Sequence, residues 1–198
     1  MTDNVLLPPV WLLDVDGVLN AVAEKPDPSV WPRGEWVRGF ARAGRETWPI
    51  LASEAVLAFV RDVHERGLAE VRWHTTWGEW ARGELTDLLG LPDFPVQCSR
   101  VAEGSAFTGG GGTPARVVSS EPAGFVTGWW KVPAARHVLE VEKRRLVWTD
   151  DEIASEFGRV GGHRIPVGRG QRSLLISPRE GLGLTRRHLR EIGEFVGF

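Results

Sequence analysis

Residues 10–18 read Val-Trp-Leu-Leu-Asp-Val-Asp-Gly-Val, a short apolar run that ends abruptly in two acids and a glycine. A run with no polar alternation is what a strand buried on both faces requires, and such strands belong to parallel sheets covered by helices. The ending places Asp14 and Asp16 where the strand leaves the sheet, and Gly17 supplies the turn. In open sheets of this kind, ligands bind beyond the carboxyl ends of the strands. One nonapeptide therefore predicts an architecture and the side of it on which chemistry would occur.

The rest of the chain repeats the pattern. Strands are predicted at Leu68 to Trp73, Phe94 to Cys98, Arg145 to Thr149 and Ser173 to Ser177. Helices are predicted between and after them: one capped by Ser53, with Val56, Leu57, Val60 and Val63 on one face and Gly67 at its end; one running through Leu85, Leu88 and Leu89 to Gly90; one entered at Lys131 and Pro133; and one capped by Thr185, with Leu189, Ile192, Phe195 and Val196 inward. This alternation predicts a three-layer α/β fold with a mostly parallel central sheet and helices on both faces. A length of 198 residues suits a single domain spanning 1–198. Two stretches break the pattern. Residues 21–50 hold Pro26, Pro28, Pro32 and Pro49 with Gly34, Gly39 and Gly44, and read as an irregular excursion with room for one short helix, a candidate lid. Residues 99–128, including Gly109 to Gly112, read as a loop or small insertion.

Charge and cysteine content narrow the surroundings. Lys plus Arg (24) against Asp plus Glu (26) leaves a net charge of −2, so no global basic field draws a polyanion. The lone Cys98 rules out an intrachain disulfide, and no apolar leader or membrane span is evident. A cytoplasmic protein with no membrane association is expected.

Polar residues at several strand ends converge in such a fold, and the set here is Asp14, Asp16, Thr75 or Thr76, Lys131, Asp150 and Asp151. Four carboxylates with one lysine repel one another in a cleft, and a divalent cation is the simplest relief. Ligation by oxygen alone suits Mg2+. Each member has an ordinary alternative. Asp-x-Asp-Gly builds turns and calcium loops, although the glutamate a calcium loop needs is replaced here by Lys25 and Pro26; Asp150 and Asp151 are good helix caps; a lone lysine usually lies in solvent; Thr75 suits any strand; and His74 reads as a core or sheet-face histidine. Gly109 to Gly112 lack the Lys-Ser/Thr of a P-loop, and Arg186, Arg187 and Arg190 read as a solvated helix face. The weight rests on the set and its order.

Asp14-Val15-Asp16-Gly17-Val18, a following threonine, Lys131 and the late Asp150-Asp151 pair resemble, in order, the four signatures of the haloacid dehalogenase (HAD) superfamily. More narrowly, His74 to Trp77, Val147 to Asp151 and Gly181 to Thr185 resemble bacterial HAD domains also found in Swiss Army Knife RNA repair proteins. The resemblance implies a Rossmann-like HAD fold with minimal cap insertions. It also implies a Mg2+-dependent phosphatase: Asp14 attacks phosphorus to form an aspartyl-phosphate, and Asp16 protonates the leaving oxygen and later activates water. Mg2+ would be held by Asp14, the Asp16 backbone carbonyl, Asp150 and Asp151, while Thr75 (or Thr76) and Lys131 would bind the phosphate. Asp16 favours phosphoryl transfer over dehalogenation, because a halide leaving group needs no proton. The short insertions imply an open cleft, admitting a phosphorylated small molecule or a nucleic-acid end. A nucleic-acid end-processing phosphatase and a non-catalytic module that binds a phospho-ligand or a protein are the alternatives.

Overall fold

The computed structural model describes residues 7–32, 35–97, 129–159 and 172–198. Its centre is a four-stranded, wholly parallel sheet in the order β4–β1–β5–β6, formed by β1 (Val10–Leu13), β4 (Glu70–Trp73), β5 (Leu146–Thr149) and β6 (Ser173–Ile176). Both β1 and β5 are buried at every position, as their unbroken apolar sequences require. Successive side chains point to opposite faces. Trp11, Leu13, Val71, Trp73, Val147 and Ile176 join a large core with α1 (Glu54–Glu65) and α5 (Arg186–Val196). Val10, Leu12, Leu146 and Trp148 join a smaller one with α3 (Val132–Arg136), the π-helical turn His137–Val141 that continues it, and Ile153 of α4 (Ile153–Arg159). Helices thus cover both faces. Each fully buried aliphatic side chain contributes about 1.5–3 kcal/mol, so a polar residue within β1 would be costly. The indole of Trp11 meets this demand by donating to the Thr149 hydroxyl at 3.1 Å.

Register does the positioning. Leu13 lies abreast of Trp73 and Thr149, and Thr149 abreast of Ile176. The next residues, Asp14, His74 and Asp150, therefore leave the sheet side by side.

The excursion over 21–50 is not an irregular segment with a short helix. It contains β2 (Trp36–Ala43), which pairs antiparallel with β3 (Glu46–Ser53), and the hairpin turns at Gly44, whose φ is +66°. Proline and glycine masked these strands, and the structure shows why both are tolerated. Pro49 lies in a two-stranded ribbon, where a missing N–H can face outward. Gly39 sits under α2 (Glu84–Leu89), where a Cβ would come within 2.7 Å of the Leu88 side chain. A second expectation also changes: Phe94 to Cys98 forms no strand over its described residues, only a single parallel bridge from Val96 to Trp73. Cys98 and the insertion at 99–128 lie outside the described residues. No helix among the described residues is long and apolar enough to cross a membrane.

Candidate active site

Asp14 follows β1 and Asp150 follows β5, adjacent strands in one register. The Asp150 N–H donates to the Ile176 carbonyl and the Asp14 N–H to the Thr149 carbonyl, so the backbone beneath both carboxylates is fixed by the sheet. Carboxylate oxygens of Asp14, Asp150 and Asp151 lie within 4.8 Å of one another. The Lys131 ammonium reaches into this group from the entrance of α3, 2.5 Å from an oxygen of Asp14 and 2.5 Å from an oxygen of Asp150. Lys131 is 1 % exposed and Asp150 is fully buried, which excludes the reading of a solvated surface lysine.

Among the described residues, three carboxylates crowd around one ammonium. Burial and the neighbouring Asp14 push the Asp150 carboxyl up to about 8, and the same two causes push Asp151 up to about 6. Burial alone would lower the Lys131 pKa, but Asp14 and Asp150 outweigh it and keep the ammonium charged. The donor set suits a hard divalent cation: three carboxylates with closely spaced oxygens, two of them held protonated toward neutrality by burial and by the neighbouring Asp14.

Gly17 makes room for this arrangement. Its φ is +70°, and a Cβ there would lie 2.4 Å from the Asp151 carboxyl carbon. Any larger residue would displace Asp151 and strain the turn. Asp150 also caps the following helix, one oxygen accepting the Glu152 N–H at 3.0 Å, so the capping and site roles coexist. Ser177, just after β6, donates its hydroxyl to the Asp151 carbonyl at 2.8 Å and ties down the pair's backbone.

Asp16 stands apart from the triad. One of its oxygens accepts from the Asn20 amide and the other from the Trp77 indole, each at 2.8 Å. The two threonines separate cleanly: Thr75 is buried and its hydroxyl oxygen accepts the Trp77 N–H at 3.3 Å, whereas Thr76 is exposed. Thr75 retains its hydroxyl hydrogen to donate to a ligand.

His74 is fully buried, and its Nε2 lies 3.1 Å from the Lys131 carbonyl. A carbonyl only accepts, so Nε2 carries the hydrogen. Burial and the nearby ammonium push the ring down to about 4, so it stays neutral. Its ring lies 5.5 Å from that of Trp130 and 5.8 Å from that of Trp148. Trp129 and Trp130 flank the ammonium at 5.6 and 5.5 Å from their ring centroids. His74 therefore belongs to the packing that holds Lys131 in place. Trp77 was not legible as a site residue because its partner Asp16 lies 61 residues away, whereas Asn20 and the Trp129-Trp130 pair stand close in sequence to Asp16 and Lys131 but carry no motif that marks them.

No family model, curated protein or solved structure matches this chain.

Proposed function

We propose that this chain is a Mg2+-dependent phosphomonoester hydrolase with a Rossmann-like HAD arrangement. The observation that carries the reading is the clustering of Asp14, Asp150 and Asp151 at the carboxyl ends of neighbouring parallel strands, with Lys131 paired to Asp14 and Asp150. Asp14, Asp150 and Asp151 would hold Mg2+, joined by the Asp16 backbone carbonyl. Bound there, the ion would neutralise the carboxylates and let an anionic phosphate approach.

The chain's own groups then have distinct tasks. An oxygen of Asp14 attacks phosphorus, the bond to the leaving oxygen breaks, and Asp16 gives that oxygen a proton. Asp16 next takes a proton from water as the water oxygen attacks the aspartyl-phosphate, which restores the Asp14 carboxylate and frees phosphate. Lys131 offsets charge on Asp14 and on the phosphoryl oxygens, and the Thr75 hydroxyl donates to one of those oxygens. Asp16 lies outside the carboxylate triad, as a proton carrier must if it is to serve the leaving group instead of the cation.

The test is a panel of phosphorylated metabolites and 5′- and 3′-phosphorylated oligonucleotides with Mg2+, run beside Asp14→Asn. Phosphate release by the wild-type chain that the variant lacks is expected. Equal release by the variant, or none from any substrate by the wild type, would sink the reading. Preference for oligonucleotide ends would assign the substrate to nucleic acid, and Mg2+ and ligand binding without release would assign a binding module.

A further inference from the structure

We infer that Trp77 is a positioning residue that fixes the orientation of the Asp16 carboxylate for proton transfer to the leaving group, an inference that rests on the phosphatase reading above. Trp77 is 4 % exposed and lies 61 residues from Asp16, at the start of the 3-10 turn Gly78–Arg82 that follows β4. Its indole N–H donates to Asp16 Oδ2 at 2.8 Å, while the Asn20 amide donates to Oδ1 at 2.8 Å. Asn20 is itself anchored on β3: its side-chain Oδ1 accepts the Leu51 N–H at 2.8 Å, and its Nδ2 also donates to the Pro49 carbonyl at 3.3 Å.

Two donors on different oxygens set the plane of a carboxylate. Each oxygen has a second lone pair, so Asp16 keeps a place for the proton it must carry. An indole N–H is a donor only, with no rotatable hydrogen, so it cannot exchange roles when Asp16 gains or loses its proton. The same residue also orders the phosphate end of the site, because its backbone N–H donates to the Thr75 hydroxyl oxygen at 3.3 Å. Trp77 thereby links the group proposed to hold the phosphoryl oxygens with the group proposed to protonate the leaving oxygen.

A buried indole needs an acceptor in any case, so a purely structural role must be separated from positioning. In the first chemical step the Asp14 oxygen bonds to phosphorus, the phosphorus–leaving-group bond breaks, and the proton of Asp16 passes to the departing oxygen. A 4-nitrophenol leaving group departs as a stable anion and needs little of that proton, whereas an alkanol needs all of it. The value of kcat/KM covers binding through this step and excludes the later hydrolysis of the aspartyl-phosphate. Trp77→Phe removes the indole N–H but keeps the backbone donor and most of the ring. It is expected to lower kcat/KM for a simple alkyl phosphate about 10-fold more than for 4-nitrophenyl phosphate. An equal fall for both esters, or no fall for either, overturns the inference while the phosphatase reading stands. A wild-type chain that releases no phosphate from these esters or from any member of the panel above overturns both. Should the phenylalanine variant fail to fold, 3-benzothienylalanine at position 77 has the shape of tryptophan without its N–H, and the same contrast between esters decides.

Discussion

Charged residues gather at both ends of the sheet, with opposite bookkeeping. At the amino ends, Arg72 and Arg144 face Glu70 and Glu142: the Arg72 guanidinium meets Glu70 at 2.7 Å and both oxygens of Glu142 at 2.7 and 2.9 Å, and Arg144 pairs with Glu70 and donates to the Pro8 carbonyl. Positive and negative charges balance there. Arg72 is held above its usual range and both glutamates below theirs, so each partner favours the ionised form of the other. At the carboxyl ends, Asp14, Asp150 and Asp151 share Lys131, and two of the three carboxyls are pushed upward. A balanced network is complete as it stands and holds the chain together. Among the described residues the carboxyl-end cluster has no such balance, and that crowding of carboxylates makes it a candidate for chemistry.

Substitutions should therefore have opposite profiles at the two ends. The largest effect is expected for Asp14→Asn, which should lower phosphate release at least about 1,000-fold, as loss of a nucleophile does. Its thermal midpoint should hold or rise, because a crowded carboxylate has been neutralised; a large fall would mean that the carboxyl-end cluster is structural. Next, Arg144→Ala should destabilise the fold by about 1–3 kcal/mol in urea, since it leaves the Pro8 carbonyl without its donor and Glu70 with Arg72 alone. Turnover per folded molecule should stay unchanged, and a specific loss of activity would break the contrast.

Asp150 and Asp151 have folded-state pKa values near 8 and 6, above the ordinary 3.8, so the folded chain binds protons that the unfolded chain has released. Without metal, these groups make stability fall as pH rises from about 4 to about 8. Mg2+ must displace those protons, so its stabilising effect should grow over that range and reach about 2.7 kcal/mol at a concentration one hundred times its Kd. His74, lowered to about 4, has the opposite slope: its contribution is lost as pH falls from 6.5 to 4. That slope is common to both arms and cancels in the difference. Melts with and without Mg2+ at pH 5 and pH 8 check this, and a larger shift at pH 5 would contradict it. The smallest expected effect separates two adjacent residues. Thr75→Val should raise KM by about 10-fold through a lost hydrogen bond to a charged phosphoryl oxygen, while exposed Thr76→Val should change it less than about twofold.

What was legible in advance follows the range of the interactions. The continuous apolar run of β1 and its acidic ending are local facts, and a strand buried on both faces leaves few other folds, so the parallel sheet and the placement of Asp14 could be read directly. Asp150 and Lys131 were legible because each sits at the boundary of a strand or helix with clear punctuation. The hairpin was not, because Gly39 is explained by Leu88 and Pro49 by an antiparallel partner, neither visible in the segment itself. The choice between Thr75 and Thr76 depends on the path of the backbone into the following 3-10 turn. Trp77 and Asn20 depend on a carboxylate reached from two separate loops. His74 was read as a core or sheet-face residue, and its burial agrees; its partner, the Lys131 carbonyl, lies 57 residues away.

The central claim is that Asp14 itself takes the phosphoryl group. Mixing the chain with 32P-labelled phosphomonoester and Mg2+, quenching in acid within milliseconds and sequencing the labelled peptide by mass spectrometry tests it directly. A single acid-stable, base-labile phosphoryl group on Asp14, absent from Asp14→Asn, is expected. Phosphate released at full rate with no labelled protein at any quench time, or with the label on another residue, would contradict it.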